Sequence, residues 1–162
     1  MYITLEEYTQ LYENIEEKLF NRLCFDACRV MDIHTTGIDN VKKLKLYFPT
    51  DEDAVTAVKH CAAKLVNLLM QIHKAEESAA GAYESAEMGI RGKYISSITA
   101  GNESISYTSG DTNKTAIDNA VADKTQRDKL LAEIVWEYLS GVEDKNGVSL
   151  LFMGKYPRRC LC

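Results

Sequence analysis

The stretch "DEDAVTAVKHCAAKLVNLLMQIHKAEESAAGAYESA", residues 51–86, carries the strongest periodic pattern in the chain. Its apolar residues recur at alternating steps of three and four, the spacing of one helix face: Val55, Val58, Ala62, Leu65, Leu69 and Ile72. A second row widens that stripe: Ala54, Cys61, Leu68 and Ala75. We therefore predict a long helix that packs on more than one neighbour and ends between Ala80 and Met88.

Two helices are predicted before this stretch. Thr4 can cap a short first helix that ends near Tyr12. A second helix, from about Ile15 to Ile33, has one apolar face and stops near Gly37; that face consists of Leu19, Phe20, Leu23, Ala27, Val30 and Met31. The connector "NVKKLKLYFPT", residues 40–50, holds a lysine cluster at Lys42, Lys43 and Lys45, and its apolar residues alternate as in a short extended segment.

After the long helix, "SSITAGNESISYTSGD", residues 96–111, changes the pattern. Apolar residues alternate with small polar ones around Gly101-Asn102, which predicts a β-hairpin over about residues 93–108. Asp111 or Thr112 can then cap a last long helix that ends at Gly141. The first half of that helix is polar, so we expect it to be exposed or to pack against another subunit.

The end of the chain, "NGVSLLFMGKYPRRCLC", residues 146–162, is apolar first and basic afterwards. Such an apolar run should not lie exposed on a monomer. It either packs back on its own domain as an edge strand or docks on a partner, and composition favours neither. The predicted fold is mainly α: a bundle of about four helices over residues 1–147 with one inserted hairpin, and an extended C-terminal arm over residues 148–162.

Composition and charge exclude several classes of function. The net charge of −5 argues against a general DNA-binding protein, which needs a basic face. The acidic N-terminus is unlike a signal peptide, and no apolar run is long enough to span a membrane. Five cysteines at irregular spacing indicate reduced thiols.

The residue types that form catalytic and metal sites in other proteins show no catalytic pattern in this sequence. Cys24 and Cys28 share a helix face, but we interpret them as small buried hydrophobic residues. The Lys42–Lys45 cluster is interpreted as a solvated edge. No nucleophile, acid/base pair or metal-ligand set stands out, so we expect neither an enzyme nor a cofactor or metal site.

Three segments together resemble the head-tail connector, or adaptor, proteins of tailed bacteriophages and prophages. The opening "YITLEEYTQLY", residues 2–12, is similar to the short first helix of that family. The segment "LCFDACRVMDIHT", residues 23–35, is similar to its second helix, with Ala27, Met31, Asp32 and Thr35 at the matching positions. "SITAGNESISYT", residues 97–108, is similar to a family segment through Gly101, Ser104, Ile105, Ser106 and Tyr107.

The resemblance implies a structural virion protein of the neck, made in the bacterial host cytoplasm. Such adaptors form a homo-oligomeric ring, a dodecamer, that docks under the portal protein and extends the DNA channel. DNA passes through without sequence-specific binding, and the ring presents a surface to the stopper, head-completion or tail protein. Neither catalysis nor a membrane is implied.

Two sets of residues are predicted to meet partners. The first is the portal-binding set in the arm, which comprises Val148, Leu150, Leu151, Phe152, Met153, Tyr156, Arg158 and Arg159. The second lies in the hairpin and would contact the next subunit or a partner ring; it comprises Ile98, Asn102, Glu103, Ile105 and Tyr107. The alternative function is a small helical DNA-associated or regulatory module that uses the Lys42–Lys45 edge.

Overall fold

The computed structural model describes residues 1–87, 97–100, 103–106 and 116–157. The chain is mainly helical, as predicted. The described residues contain six helices: α1 (Leu5–Thr9), α2 (Glu17–Thr35), α3 (Lys43–Leu46), α4 (Glu52–Glu87), α5 (Ala116–Ala122) and α6 (Lys124–Leu139). None of these helices is both long enough and apolar enough to cross a membrane.

The helix α4 is the centre of the fold, and its bounds agree with the prediction from residues 51–86. Both α2 and α6 pack against it. The predicted stripe of α4 is buried over most of its length, and Val58, Ala62 and Leu65 are fully inaccessible. The apolar faces of the two neighbours complete the core, which contains Phe20, Leu23, Cys24, Ala27, Met31, Leu131, Ile134, Val135 and Leu139.

The N-terminal segment folds as its capping pattern predicts. The Thr4 side chain accepts a hydrogen bond from the Glu7 N–H, at 3.2 Å, and the Glu7 carboxylate accepts one from the Thr4 N–H, at 2.9 Å. This reciprocal pair satisfies two backbone donors that a helix start otherwise leaves free. The helix α1 then places Tyr8, which is fully buried, against the core.

The last helix differs from the prediction, because it is divided into α5 and α6 at Asp123. That residue has an extended backbone, with φ −133° and ψ 117°, and its side chain accepts a hydrogen bond from the Thr125 N–H, at 2.8 Å. Asp123 therefore caps a new helix. The predicted stop at Gly141 is confirmed, since α6 ends at Leu139 and Gly141 has φ +80°. The predicted caps Asp111 and Thr112 lie outside the described residues.

The connector after α2 also differs from the prediction. Residues Lys43–Leu46 form a short helix, α3, instead of an extended segment. Leu44 is buried, and so is Lys43, whose exposed fraction is only 1%. The interpretation of the cluster as a solvated edge is therefore wrong for Lys43.

Two short strands lie between α4 and α5. They are β1 (Ser97–Ala100) and β2 (Glu103–Ser106), which pair antiparallel with Ile98 opposite Ile105. Glu103 opens β2, opposite Ala100. The predicted contact residues Asn102 and Tyr107 lie outside the described residues.

The described part of the C-terminal segment, residues 148–157, packs back on its own domain. Leu150 is fully buried in the core, and Leu151 is 9% exposed. The expected division at residues 147/148 falls inside a turn, which is closed by a 2.8 Å hydrogen bond from the Asp144 N–H to the Val148 carbonyl. Residues 148–157 therefore belong to the same packed unit as the helices. Instead of the edge strand considered above, these residues make a single isolated β-bridge, between Glu143 and Ser149.

Candidate interaction surface

A buried lysine fixes the C-terminal segment to α3. The Nζ atom of Lys43 donates hydrogen bonds to the Ser149 carbonyl, at 3.3 Å, and to the Phe152 carbonyl. Burial lowers the pKa of Lys43, against the opposing effect of the nearby Asp144 carboxylate. A charged donor thus bonds two backbone acceptors of the tail, and the Ser149 carbonyl also accepts from the Phe152 N–H at 3.1 Å.

The same residue weakens the case for a cationic edge. Of the three clustered lysines, Lys43 points into the protein, and Lys45 forms an ion pair with Asp32 at 2.9 Å. Only Lys42 is exposed and without an ion pair among the described residues. The cluster therefore does not present the continuous positive surface that the DNA-associated alternative requires.

A second set of contacts holds Tyr156 within the same part of the fold. Its ring stacks on Tyr47 with the centroids 4.5 Å apart. Its hydroxyl donates to Asp144 at 2.6 Å and accepts from the Asn146 amide at 2.9 Å, while its backbone N–H donates to Asp39 at 2.8 Å. Burial and the hydrogen bond to Asp144 raise the pKa of Tyr156 to about 12.

Next to these contacts lies a solvent-exposed apolar patch. We call it the tail-edge patch. It consists of Ile38, Phe152 and Met153, which are 78%, 44% and 49% exposed. The Ile38 N–H donates to the Met153 carbonyl at 3.0 Å, so the two segments are adjacent. Large apolar side chains that are grouped on a surface mark sites of protein contact.

The structure divides the predicted portal-binding residues into three groups. Leu150 and Leu151 lie in the core, so they are not exposed anchors, and Val148 is half-buried. Tyr156 is half-buried and hydrogen-bonded within its own chain. Phe152 and Met153 remain exposed, whereas the last two predicted residues, Arg158 and Arg159, lie outside the described residues.

A separate groove, which we call the α2 groove, lies along the side of α2 that faces away from the core. It has a volume of about 750 Å³. Three large apolar residues line it in exposed positions: Met1 (70%), Phe25 (65%) and Ile33 (58%). Sequence reasoning missed this surface, although Phe25 and Ile33 are eight residues apart and so share a helix face distinct from the core row.

The charged residues of the α2 groove are mostly cationic. Asp32 accepts a hydrogen bond from the Tyr2 hydroxyl and forms the ion pair with Lys45. Arg29 and Lys42 also line the groove and have no ion-pair partner among the described residues. Three cationic side chains against one carboxylate give the groove a net side-chain charge of +2 in an acidic protein.

One cysteine also faces the α2 groove. Cys24 is fully buried, as its interpretation as a small hydrophobic residue requires, whereas Cys28 is only half-buried and lines the groove. The neighbouring Cys24 thiol lowers the pKa of Cys28 below its usual range, against the opposing effect of burial. The α2 groove therefore contains a thiol that ionises more readily than an ordinary cysteine.

The described residues contain no group of three or more His, Cys, Asp or Glu side chains arranged to hold a metal ion. Comparisons with protein-family models, with curated proteins and with solved structures found no match to this chain.

Proposed function

We propose that this chain is a structural assembly protein, a head-tail adaptor that docks as a ring under the portal of a tailed bacteriophage. In this proposal the helices form a bundle of about four long elements with the β1–β2 hairpin inserted. The three segments at residues 2–12, 23–35 and 97–108 motivate the family. The observation that carries the function is the tail-edge patch, an exposed apolar surface held on well-anchored backbone.

The anchoring matters for the mechanism of docking. The carbonyl of Phe152 is bound by the buried Lys43, and the Met153 carbonyl is bound by the Ile38 N–H. A surface that is already ordered loses little conformational entropy when it binds. Phe152 and Met153 would therefore enter apolar pockets of the portal as preformed anchors, surrounded by a more polar rim.

The hairpin has a separate role in the proposal. Two strands alone are marginally stable, and their outer edges offer unpaired backbone groups to another chain. With Ile98 opposite Ile105 across the pair, the hairpin would contact the neighbouring subunit or a partner ring. The completed ring would extend the DNA channel and present its far side to the stopper or tail.

The test replaces the exposed anchors and leaves the core intact. Deleting residues from Val148 onward would remove the buried Leu150 and Leu151, so a loss of binding would report unfolding. The double variant Phe152→Ser, Met153→Ser avoids that problem. We expect it to fold, as shown by circular dichroism, and to lose binding to purified portal assemblies of the virus or prophage that encodes this chain.

The matched control is Trp136→Ser, which removes another exposed aromatic side chain (55% exposed) that belongs to α6 and not to the patch. It should bind the portal like the wild type. Negative-stain images should show an added ring under the portal for the wild type and the control alone. Portal binding by the double variant at wild-type affinity, or no binding by the wild type, would refute the proposal.

A further inference from the structure

The α2 groove has the composition of an occupied site. Phe25 and Ile33 are more than half exposed on the outer face of a helix whose other face is in the core. Between them, Arg29 has no ion-pair partner among the described residues. An occupant that satisfies this surface must bring apolar side chains together with carboxylates.

The chain itself carries a surface of that chemistry in residues 10–18, which comprise the connection after α1 and the first two residues of α2. Leu11 is 45% exposed there. Three exposed acids, Glu13, Glu16 and Glu17, have no ion-pair partner among the described residues, and Lys18 is the one cation in the segment. We call this segment the acidic connection. Its net charge of −2, from three acids and one lysine, complements the +2 of the α2 groove.

Within one chain the two surfaces stay apart. Glu17 opens α2, and Arg29 lies twelve residues further along the same helix. At about 1.5 Å per residue, the two are about 18 Å apart on a rigid element. We propose that the α2 groove of one copy binds the acidic connection of a second copy.

A contact between two different surfaces of identical chains is heterologous. Each copy then uses its groove for one neighbour and its acidic connection for the other, and the assembly closes as a ring or continues as a filament. This inference deepens the proposed function, and it rests on that function for the expectation of a closed ring. The pairing of the two surfaces rests on their composition alone.

The experiment reverses each surface in turn and then combines the reversed proteins. The groove variant is Arg29→Glu with Lys42→Glu, and the connection variant is Glu16→Lys with Glu17→Lys. The control is Lys129→Glu with Lys145→Glu, which makes the same change of net charge as the groove variant at exposed positions elsewhere. Circular dichroism verifies that every variant keeps its helices.

Self-association is measured by sedimentation velocity at low ionic strength, up to the solubility limit. The wild type and the control should associate, and each reversed variant alone should associate about tenfold more weakly or worse, because like charges then face each other. An equal mixture of the two reversed variants should recover association. In that mixture the positive groove of the connection variant meets the negative connection of the groove variant. The other contact pairs the negative groove of the groove variant with the positive connection of the connection variant, so it is also complementary.

Cys28 supplies an independent readout, because it lines the α2 groove. Its alkylation by iodoacetamide, followed by peptide mass spectrometry, should slow on association of the wild type and stay fast in either reversed variant alone. A monomeric wild type, association of the groove variant at wild-type strength, no recovery in the mixture, or unchanged alkylation of Cys28 would each overturn the proposal. Portal binding through the tail-edge patch is scored separately, so either proposal can fail without the other.

Discussion

Replacing Lys43 with methionine tests whether the tail is held by its buried ammonium. Methionine keeps much of the apolar stem and removes the charged donor. The Phe152 carbonyl then loses its bond to the ammonium, and the Ser149 carbonyl keeps only the hydrogen bond from the Phe152 N–H. A hydrogen bond from a charged donor contributes about 1.5–3 kcal/mol, and relief of the ammonium's desolvation offsets part of the loss. We expect the free energy of unfolding to fall by about 2–4 kcal/mol.

For a chain of this size, each kcal/mol lowers the melting temperature by about 2–4 °C. The variant should therefore melt about 5–15 °C below the wild type, with a lower urea midpoint and an unchanged m-value. Lys42→Met is the matched control, because Lys42 is exposed and unpaired among the described residues. Its stability should stay within about 0.5 kcal/mol of the wild type.

The loss of stability in Lys43→Met should also affect the C-terminal segment more than the rest of the protein. Amide hydrogen exchange of Leu150 and Phe152, whose N–H groups bond to Val142 and Ser149, should speed up more than exchange in the centre of α4. If Lys43→Met unfolds at the same urea concentration as Lys42→Met, or if the tail amides stay protected, the ammonium does not hold the tail and the reasoning is wrong.

Three further results are expected. Tyr156→Phe keeps the ring but loses the hydrogen bond to Asp144, which should cost about 1–2 kcal/mol in urea titrations. Because the pKa of Tyr156 is raised to about 12 in the folded chain, its contribution to the free energy of unfolding should be present below pH 10 and lost between about pH 10 and 12. A stability difference between wild type and Tyr156→Phe that does not change over this range would contradict the assignment. Asp123→Ala removes the cap of α6 and should cost about 1 kcal/mol, whereas no change would mean that the helix break is set elsewhere. Peptide-resolved alkylation of monomeric protein should label Cys28 at a lower pH than an ordinary cysteine, because its pKa is lowered, and leave Cys61, whose burial raises its pKa to about 12, unreacted until the chain unfolds; equal rates would refute the assignment.

Local patterns in the sequence determined the helices and several of their ends. The three- and four-residue spacing over residues 51–86 specifies a face that must be buried, and α4 follows it. Thr4 and Gly141 act through backbone groups within a few residues, so their effects could also be predicted. The division of the last helix at Asp123 was missed, because a polar helix segment and a capped break have similar composition.

Tertiary structure alone decided the candidate surfaces. Whether Lys43 is solvated or buried depends on two carbonyls more than a hundred residues away, in the segment that the buried Leu150 holds against the core. Periodicity shows that α2 has one core face, but it does not show whether a neighbouring element covers Phe25 and Ile33 on the other. Burial, pairing and exposure depend on contacts between segments that are distant in sequence, so a local sequence pattern cannot predict them.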